Sequence, residues 1–149
     1  MIYQIRTEEV PVIAEMEKTC FPDPWSLTML EECFCNRFDV CLVMEEDGQF
    51  IGYCIFRILS GEGELFRIAV LPQHRGKGYG RKLMEAMEEY AKEEEVTSIM
   101  LEVRESNEAA KKLYTAYGFE VEHIRKSYYS NPVEDGVVMC NRSISNFYH

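Results

Sequence analysis

The chain has 149 residues, with 26 Asp and Glu against 16 Lys and Arg, which gives a formal net charge of −10 and a sequence pI near 4.8. One domain of that length buries roughly 70% of the surface its unfolded chain exposes. With 46% hydrophobic residues to fill a core, the composition argues against disorder and against a small disulfide scaffold. The acidic balance offers no footprint for nucleic-acid backbones or anionic membranes and suits a cationic partner.

Taken in chain order, the elements alternate in type. Ile2 to Arg6 reads as a short strand, and Val10 to Cys20 places Val10, Ile13, Ala14 and Met16 at helical spacing. Pro22 and Pro24 end that helix, and Ser26 is placed to cap a second one running to about Asn36. The connecting loop carries Trp25, the single tryptophan. Val40 to Met44 and Gln49 to Leu59 are β-rich runs separated by Glu45-Glu46-Asp47-Gly48, a hairpin pattern. A strand from Glu62 to Leu71 stops at Pro72, and a glycine-dense turn leads into a helix over Arg81 to Lys92, whose apolar stripe is Leu83, Met87, Tyr90 and Ala91. Thr97 to Arg104 is a strand, and Ser106 to Tyr117 a helix ended by Gly118. Phe119 to Ile124 and Gly136 to Ile144 close the chain as strands. The expected class is mixed α/β, with about seven strands in a mostly antiparallel sheet and about four helices, in one domain spanning the chain.

The N-terminal residues Met1 to Ala14 carry Arg6, Glu8 and Glu9 where a signal peptide needs an apolar run, so a cytoplasmic, reducing location is expected. No apolar stretch approaches the ~20 residues of a membrane span. The six cysteines contain no C-x-x-C, and His74, His123 and His149 lie far apart, so the cysteines read as small hydrophobes and no metal site is expected.

The first constellation with chemical content is Arg75-Gly76-Lys77-Gly78-Tyr79-Gly80-Arg81-Lys82, between a strand and a helix start. Glycines at alternate positions let a ligand approach the backbone, and the first amides of a helix present positive charge to an anion. Four cations gather there in an otherwise acidic chain, which points to a phosphate or pyrophosphate. The spacing is neither that of a dinucleotide fold nor that of a P-loop.

The second constellation is Glu102 on the Thr97 to Arg104 strand. Alternation puts Ile99, Leu101 and Val103 on one face and Met100, Glu102 and Arg104 on the other, so Glu102 leaves the face best suited to the core. Its chemically uneventful role is a solvated carboxylate beside a cation. The third is the following helix, where Asn107 and Tyr114 share a stripe roughly 10 Å long. A core tyrosine is the bland reading, yet a carboxylate and a phenol near a phosphate-binding turn make an acid/base pair.

Leu65-Phe66-Arg67-Ile68-Ala69-Val70, Arg75-x-x-Gly78-x-Gly80, and the Ser106-Asn107 to Tyr114 helix ending in Tyr117-Gly118-Phe119 together resemble the GCN5-related N-acetyltransferase (GNAT) superfamily. Phe21, Pro24-Trp25-Ser26, Leu101-Glu102-Val103-Arg104-x-Ser106-Asn107, Arg125-x-x-Tyr128-Tyr129 and Glu134-Asp135 resemble its RimI type, the ribosomal-protein-alanine N-acetyltransferases. The resemblance implies an acetyl-CoA cleft between the central strands, with the pyrophosphate on the turn from Arg75 to Arg81. It implies the thioester and pantetheine along Ile68, Ala69 and Val70, with Val70 donating to the thioester oxygen, and Asn107 against the CoA arm. It further implies Glu102 as general base, directly or through water, and Tyr114 as general acid. Glu62 and Glu64 leave the base assignment open, Glu62 being the reserve.

The acceptor implied is the N-terminal α-amine of a protein, most simply the alanine of a basic small-subunit ribosomal protein, with Trp25, Glu62 and Tyr129 flanking the peptide. No direct nucleic-acid or membrane contact is expected. Two other readings stay open: an acetyltransferase for lysine side chains or small amines, and a module that binds acyl-CoA without catalysis.

Overall fold

The computed structural model describes residues 1–144, so His149 lies outside the described residues. Among these residues the strands are β1 (Ile2–Gln4), β2 (Asp39–Glu46), β3 (Gln49–Leu59), β4 (Glu62–Val70), β5 (Ser98–Arg104), β6 (Glu120–Tyr129) and β7 (Glu134–Asn141). The helices are α1 (Val10–Cys20), α2 (Leu27–Phe34), α3 (Tyr79–Glu93) and α4 (Glu108–Ala116). All seven strands form one sheet in the order β1-β2-β3-β4-β5-β7-β6. The expected mixed α/β architecture stands, and the differences fall at element ends. α2 starts where expected because the Ser26 hydroxyl accepts from the Met29 amide at 3.1 Å, but it stops at Phe34 rather than Asn36. α4 begins only at Glu108, because the Asn107 side chain caps it by accepting from the Ala110 amide at 3.1 Å. β6 runs on to Tyr129, well past Ile124, and pairs Tyr129 with Glu134.

Two cores lie on the two faces of the sheet. On one face α3 buries Leu83, Met84, Met87 and Ala91 against Cys54, Phe56, Leu101 and Val103, together with Tyr114 of α4. On the other α1 buries Val10, Ile13, Ala14 and Met16 against Val43, Tyr53, Ile55 and Ala69. The alternation of β3, with Tyr53 and Ile55 to one side and Cys54 and Phe56 to the other, is what divides them. Each large side chain so buried contributes about 1.5–3 kcal/mol. All six cysteines are free. Among the described residues no helix is long and apolar enough to cross a membrane.

Every neighbouring pair is antiparallel except β4 and β5, which α3 connects in parallel. Their pairing runs only from Glu62 opposite Ser98 to Leu65 opposite Leu101. Beyond that point β4 continues to Val70 and β5 to Arg104 without a shared ladder. The two strands therefore part in the middle of the sheet, leaving a gap between them.

Candidate active site

The β4 side of the gap is a row of backbone groups. Leu71 donates to the carbonyl of Ile51 at 2.9 Å, and β3 and β4 are in register at Gly52–Val70, Tyr53–Ala69 and Cys54–Ile68. In an antiparallel ladder alternate residues bond the partner strand, so Ala69 faces β3 while the N–H and C=O of Ile68 and Val70 point away from it, into the gap. The Val70 carbonyl accepts there from Arg75 Nε at 2.8 Å.

The glycine turn follows at the end of this strand. Gly76 and Gly78 have φ of +78° and +83°, the left-handed region that a side chain strains. A Cβ at either position would meet nothing within 4 Å, so the space beside the turn is open. α3 begins at Tyr79, two residues earlier than its stripe suggested, because Gly78 turns the chain into it as N-cap. The amides of Tyr79, Gly80 and Arg81 have no acceptor within the helix and form its positive end. The Tyr79 phenol donates to Glu46 Oε2 at 2.9 Å, which leaves the Tyr79 amide as its contribution to the turn. Gly80 serves packing as well: a Cβ there would lie 3.4 Å from Leu113 Cδ2 of α4. Arg75, Lys77, Arg81 and Lys82 surround this turn in sequence, while the half-buried His74 sits edge-on to Tyr79 with 6.2 Å between ring centroids.

The opposite face of the gap is made of side chains. On β5 Ile99, Leu101 and Val103 are buried, whereas Met100, Glu102 and Arg104 are half-buried on the other face, as alternation predicts. A bulge opposite Ile55 and Phe56 turns both Phe66 and Arg67 of β4 to this same face. Arg125 Nη2 of β6 lies 3.4 Å from Glu102 Oε1. The neighbouring Glu102 carboxylate, and then burial, raise the Tyr128 phenol above its ordinary pKa. Glu64 stands opposite Met100, and burial followed by the charge of Glu102 raises its carboxyl above the ordinary range. Glu62, the reserve carboxylate, is not brought to Glu102. It pairs with Ser98 at the closed end of the β4–β5 ladder, and its charge acts on Cys140 and Arg142.

Trp25 and Tyr129 both reach this face, each beside an arginine. Glu17 of α1 is fully buried, accepts from the Trp25 amide at 2.8 Å and from the Tyr53 hydroxyl, and pairs with Arg67 at 3.2 Å. The Arg67 guanidinium lies 4.1 Å from the Phe21 ring centroid and 5.3 Å from that of Trp25. Arg104 covers the Tyr129 ring at 4.6 Å and donates to the carbonyls of Ser130 and Pro132 at 2.7 and 2.9 Å and to Glu134 at 3.1 Å. Glu134 also accepts from the amide and hydroxyl of Ser106, both at 3.1 Å. Burial alone would raise the Glu134 carboxyl, but these bonds and Arg104 hold it below the ordinary range. Burial and the charges of Glu102 and Tyr128 push the Tyr129 phenol up to about 12.

Tyr114 approaches from the other core. It is 6% exposed, packs on Phe119 at 6.0 Å between centroids, and has its pKa raised by burial and by Tyr129. Glu102 and Tyr114 therefore lie on opposite faces of the sheet, Glu102 where β5 has left its ladder with β4 while staying paired with β7. Asn107 is exposed and spends its side-chain carbonyl on the α4 cap, which leaves its amide group to meet a ligand.

The residues that the sequence did not single out are Glu17, Arg67, Arg104 and Asp23. Glu17 carried a signal, because it falls at i+3 from Ala14 and i+4 from Ile13 on the apolar stripe of α1. A carboxylate on such a stripe needs a buried partner.

Residues 10–119 match the acetyltransferase (GNAT) family model. The chain is 37% identical over 143 residues to the [ribosomal protein bS18]-alanine N-acetyltransferase of Haemophilus influenzae, covering 94% of this chain and 97% of that one. Among solved structures, the ribosomal-protein-S18-alanine N-acetyltransferase of Escherichia coli superposes with a TM-score of 0.89 at 29% identity, covering 96% of this chain and 94% of that one. Ard1 of Thermoplasma volcanium superposes at 0.85 with 20% identity over 96% of this chain and 97% of that one, a likeness of fold alone.

Proposed function

The chain belongs to the GNAT acetyltransferase family and is an acetyl-CoA-dependent N-acetyltransferase, and on that premise we propose that its acceptor is the N-terminal alanine of a small-subunit ribosomal protein, as in the names of its relatives. One observation supports the site assignment: Glu102 stands where the pairing of β5 with β4 has ended, and Tyr114 lies in the core on the opposite face of the sheet.

Acetyl-CoA fits the backbone-lined face. Its pyrophosphate sits on the amides from Gly76 to Arg81 with Arg75 and Lys77 adding charge, and its pantetheine arm runs along Ile68 to Val70, with Asn107 at its edge. The acceptor comes from the face that holds Glu102, between Trp25 and Tyr129. An α-amino group has an unperturbed pKa near 8 and must lose a proton before it attacks. Glu102 takes that proton, directly or through water, and the nitrogen then bonds to the thioester carbon. The Val70 amide hydrogen-bonds the thioester oxygen as negative charge grows on it. Tyr114, kept neutral by its raised pKa, gives a proton to the departing sulfur as the C–S bond breaks. The second proton shed by nitrogen as the amide forms balances the one Tyr114 has given. A formal net charge of −10 on the chain draws a basic ribosomal tail toward the protein.

The test is acetyl transfer from acetyl-CoA to a hexapeptide beginning Ala-Arg, read by mass spectrometry beside the same peptide N-blocked and carrying a lysine. Label confined to the free α-amine is expected. Label on the lysine, or donor binding without transfer to either peptide, contradicts the proposal.

A further inference from the structure

Asp23 lies in the loop between α1 and α2, between Pro22 and Pro24, and bonds three distant segments at once. Its Oδ2 accepts from Arg104 Nη2 at 2.9 Å, its Oδ1 accepts from Asn131 Nδ2 at 3.0 Å, and its backbone carbonyl accepts from Arg67 Nη2 at 2.6 Å. Arg104 is itself bonded to the carbonyls of Ser130 and Pro132. The carboxylate thus joins the Trp25 loop to the β6–β7 turn, segments 108 residues apart. Trp25 follows Asp23 by two residues, and Tyr129 precedes Asn131 by two. The tie therefore holds the two aromatic residues of the Glu102 face in one frame.

Resting on the acceptor assignment above, we propose that Asp23 is a positioning residue for the acceptor: it latches the Trp25 loop to the β6–β7 turn and so fixes the width of the peptide groove between Trp25 and Tyr129. Its place in the network separates this role from folding. The Asp23 side chain is 43% exposed, and bonds of exposed carboxylates add little to stability. The loop has a second, buried anchor at its base, where Glu17 holds the Trp25 amide and Arg67. Loss of the latch leaves that anchor and the core intact and frees only the tie across the groove. The donor face shares none of these bonds.

Asp23→Ala is compared with Asp23→Glu and the unaltered protein by two readouts. Acrylamide quenching of the single tryptophan reads the latch without any acceptor, and it is expected to increase about twofold in Asp23→Ala. Steady-state kinetics on the Ala-Arg peptide should show the peptide KM rising about tenfold, with kcat and the acetyl-CoA KM within about twofold and a melting temperature within about 2 °C of the parent. Asp23→Glu, which keeps the charge, should recover part of the peptide KM. Unchanged quenching overturns the latch. A lower kcat at unchanged peptide KM, or a fall in both KM-derived affinities with a lower melting temperature, also overturns the positioning role. If the unaltered protein ignores the peptide, the acceptor assignment fails by itself and the quenching result still decides the latch.

Discussion

The two faces of the gap between β4 and β5 are made of different materials. The face proposed for acetyl-CoA is mostly backbone: the open amides of Ile68 and Val70 and a turn whose glycines have empty space beside them. The face proposed for the acceptor is mostly side chain, with Glu17, Arg67, Asp23, Arg104 and Glu134 bonded across five separate segments. Backbone donors recognise what is common to every round of the reaction, the thioester and the pyrophosphate. Side chains can be exchanged one at a time, which suits the part of the site where specificity has to vary.

That contrast predicts that substitutions separate cleanly by face. The largest effect falls where the faces meet: Glu102→Gln should lower kcat by about 10² to 10⁴ with acetyl-CoA affinity unchanged, the span of a lost general base. Tyr114→Phe keeps the packing against Phe119 and should lower kcat in the same way. Steady-state and single-turnover kinetics measure both, and a retained kcat in Glu102→Gln would move the proton to Glu64, the neighbouring carboxylate on this face. A smaller effect is expected on the donor face alone. Gly78→Val forces a β-branched residue to φ near +83° and blocks the open side of the turn. It should weaken acetyl-CoA binding by about 10- to 100-fold and leave the peptide KM at saturating donor within about twofold. Titration calorimetry gives the number, and unaltered donor affinity would break the contrast.

The smallest effect is electrostatic. Burial and Glu102 raise the Glu64 carboxyl, so the folded protein holds that proton over a range of pH in which the unfolded chain has released it. Stability therefore falls as pH rises from the ordinary glutamate value through the raised one, and is level above it. Glu64→Gln removes the loss. The variant should melt about 1–2 °C higher at pH 7 and match the parent near pH 3.5, where both states are protonated. Thermal melts across that range check the sign, and a variant less stable at pH 7 would show that Arg57 and Arg125 outweigh the carboxylate neighbour.

The same division explains what the sequence disclosed. The donor face is local, since Arg75 to Lys82 carry glycines and cations within one turn, and its place between a strand and a helix was legible. Glu102 could be placed because β5 alternates cleanly between a buried and a half-buried face. The sequence reading favours Glu62 as the reserve carboxylate where the fold brings Glu64 to Glu102, because the choice depends on the register of a parallel pair whose strands are joined through a helix. Arg104 and Asp23 were silent for a related reason, as their partners lie far away in the chain. β6 was cut short at Ile124 because nearly all of its residues are exposed on both faces, so no period-two pattern exists to mark its length. Glu17 is different, since a carboxylate on an apolar stripe is a signal that the sequence itself carries.

The central claim is that the donor is held by backbone on one face while the acceptor meets side chains on the other. Amide and tryptophan indole NMR shifts of the protein on titration with acetyl-CoA test it most directly. The account predicts large shifts at Ile68, Val70 and Gly76 through Lys82, with the Trp25 indole and the Asn131 side chain nearly unmoved. Unmoved amides in the glycine turn, with the shifts gathered instead at Asp23, Trp25 and Tyr129, would contradict it.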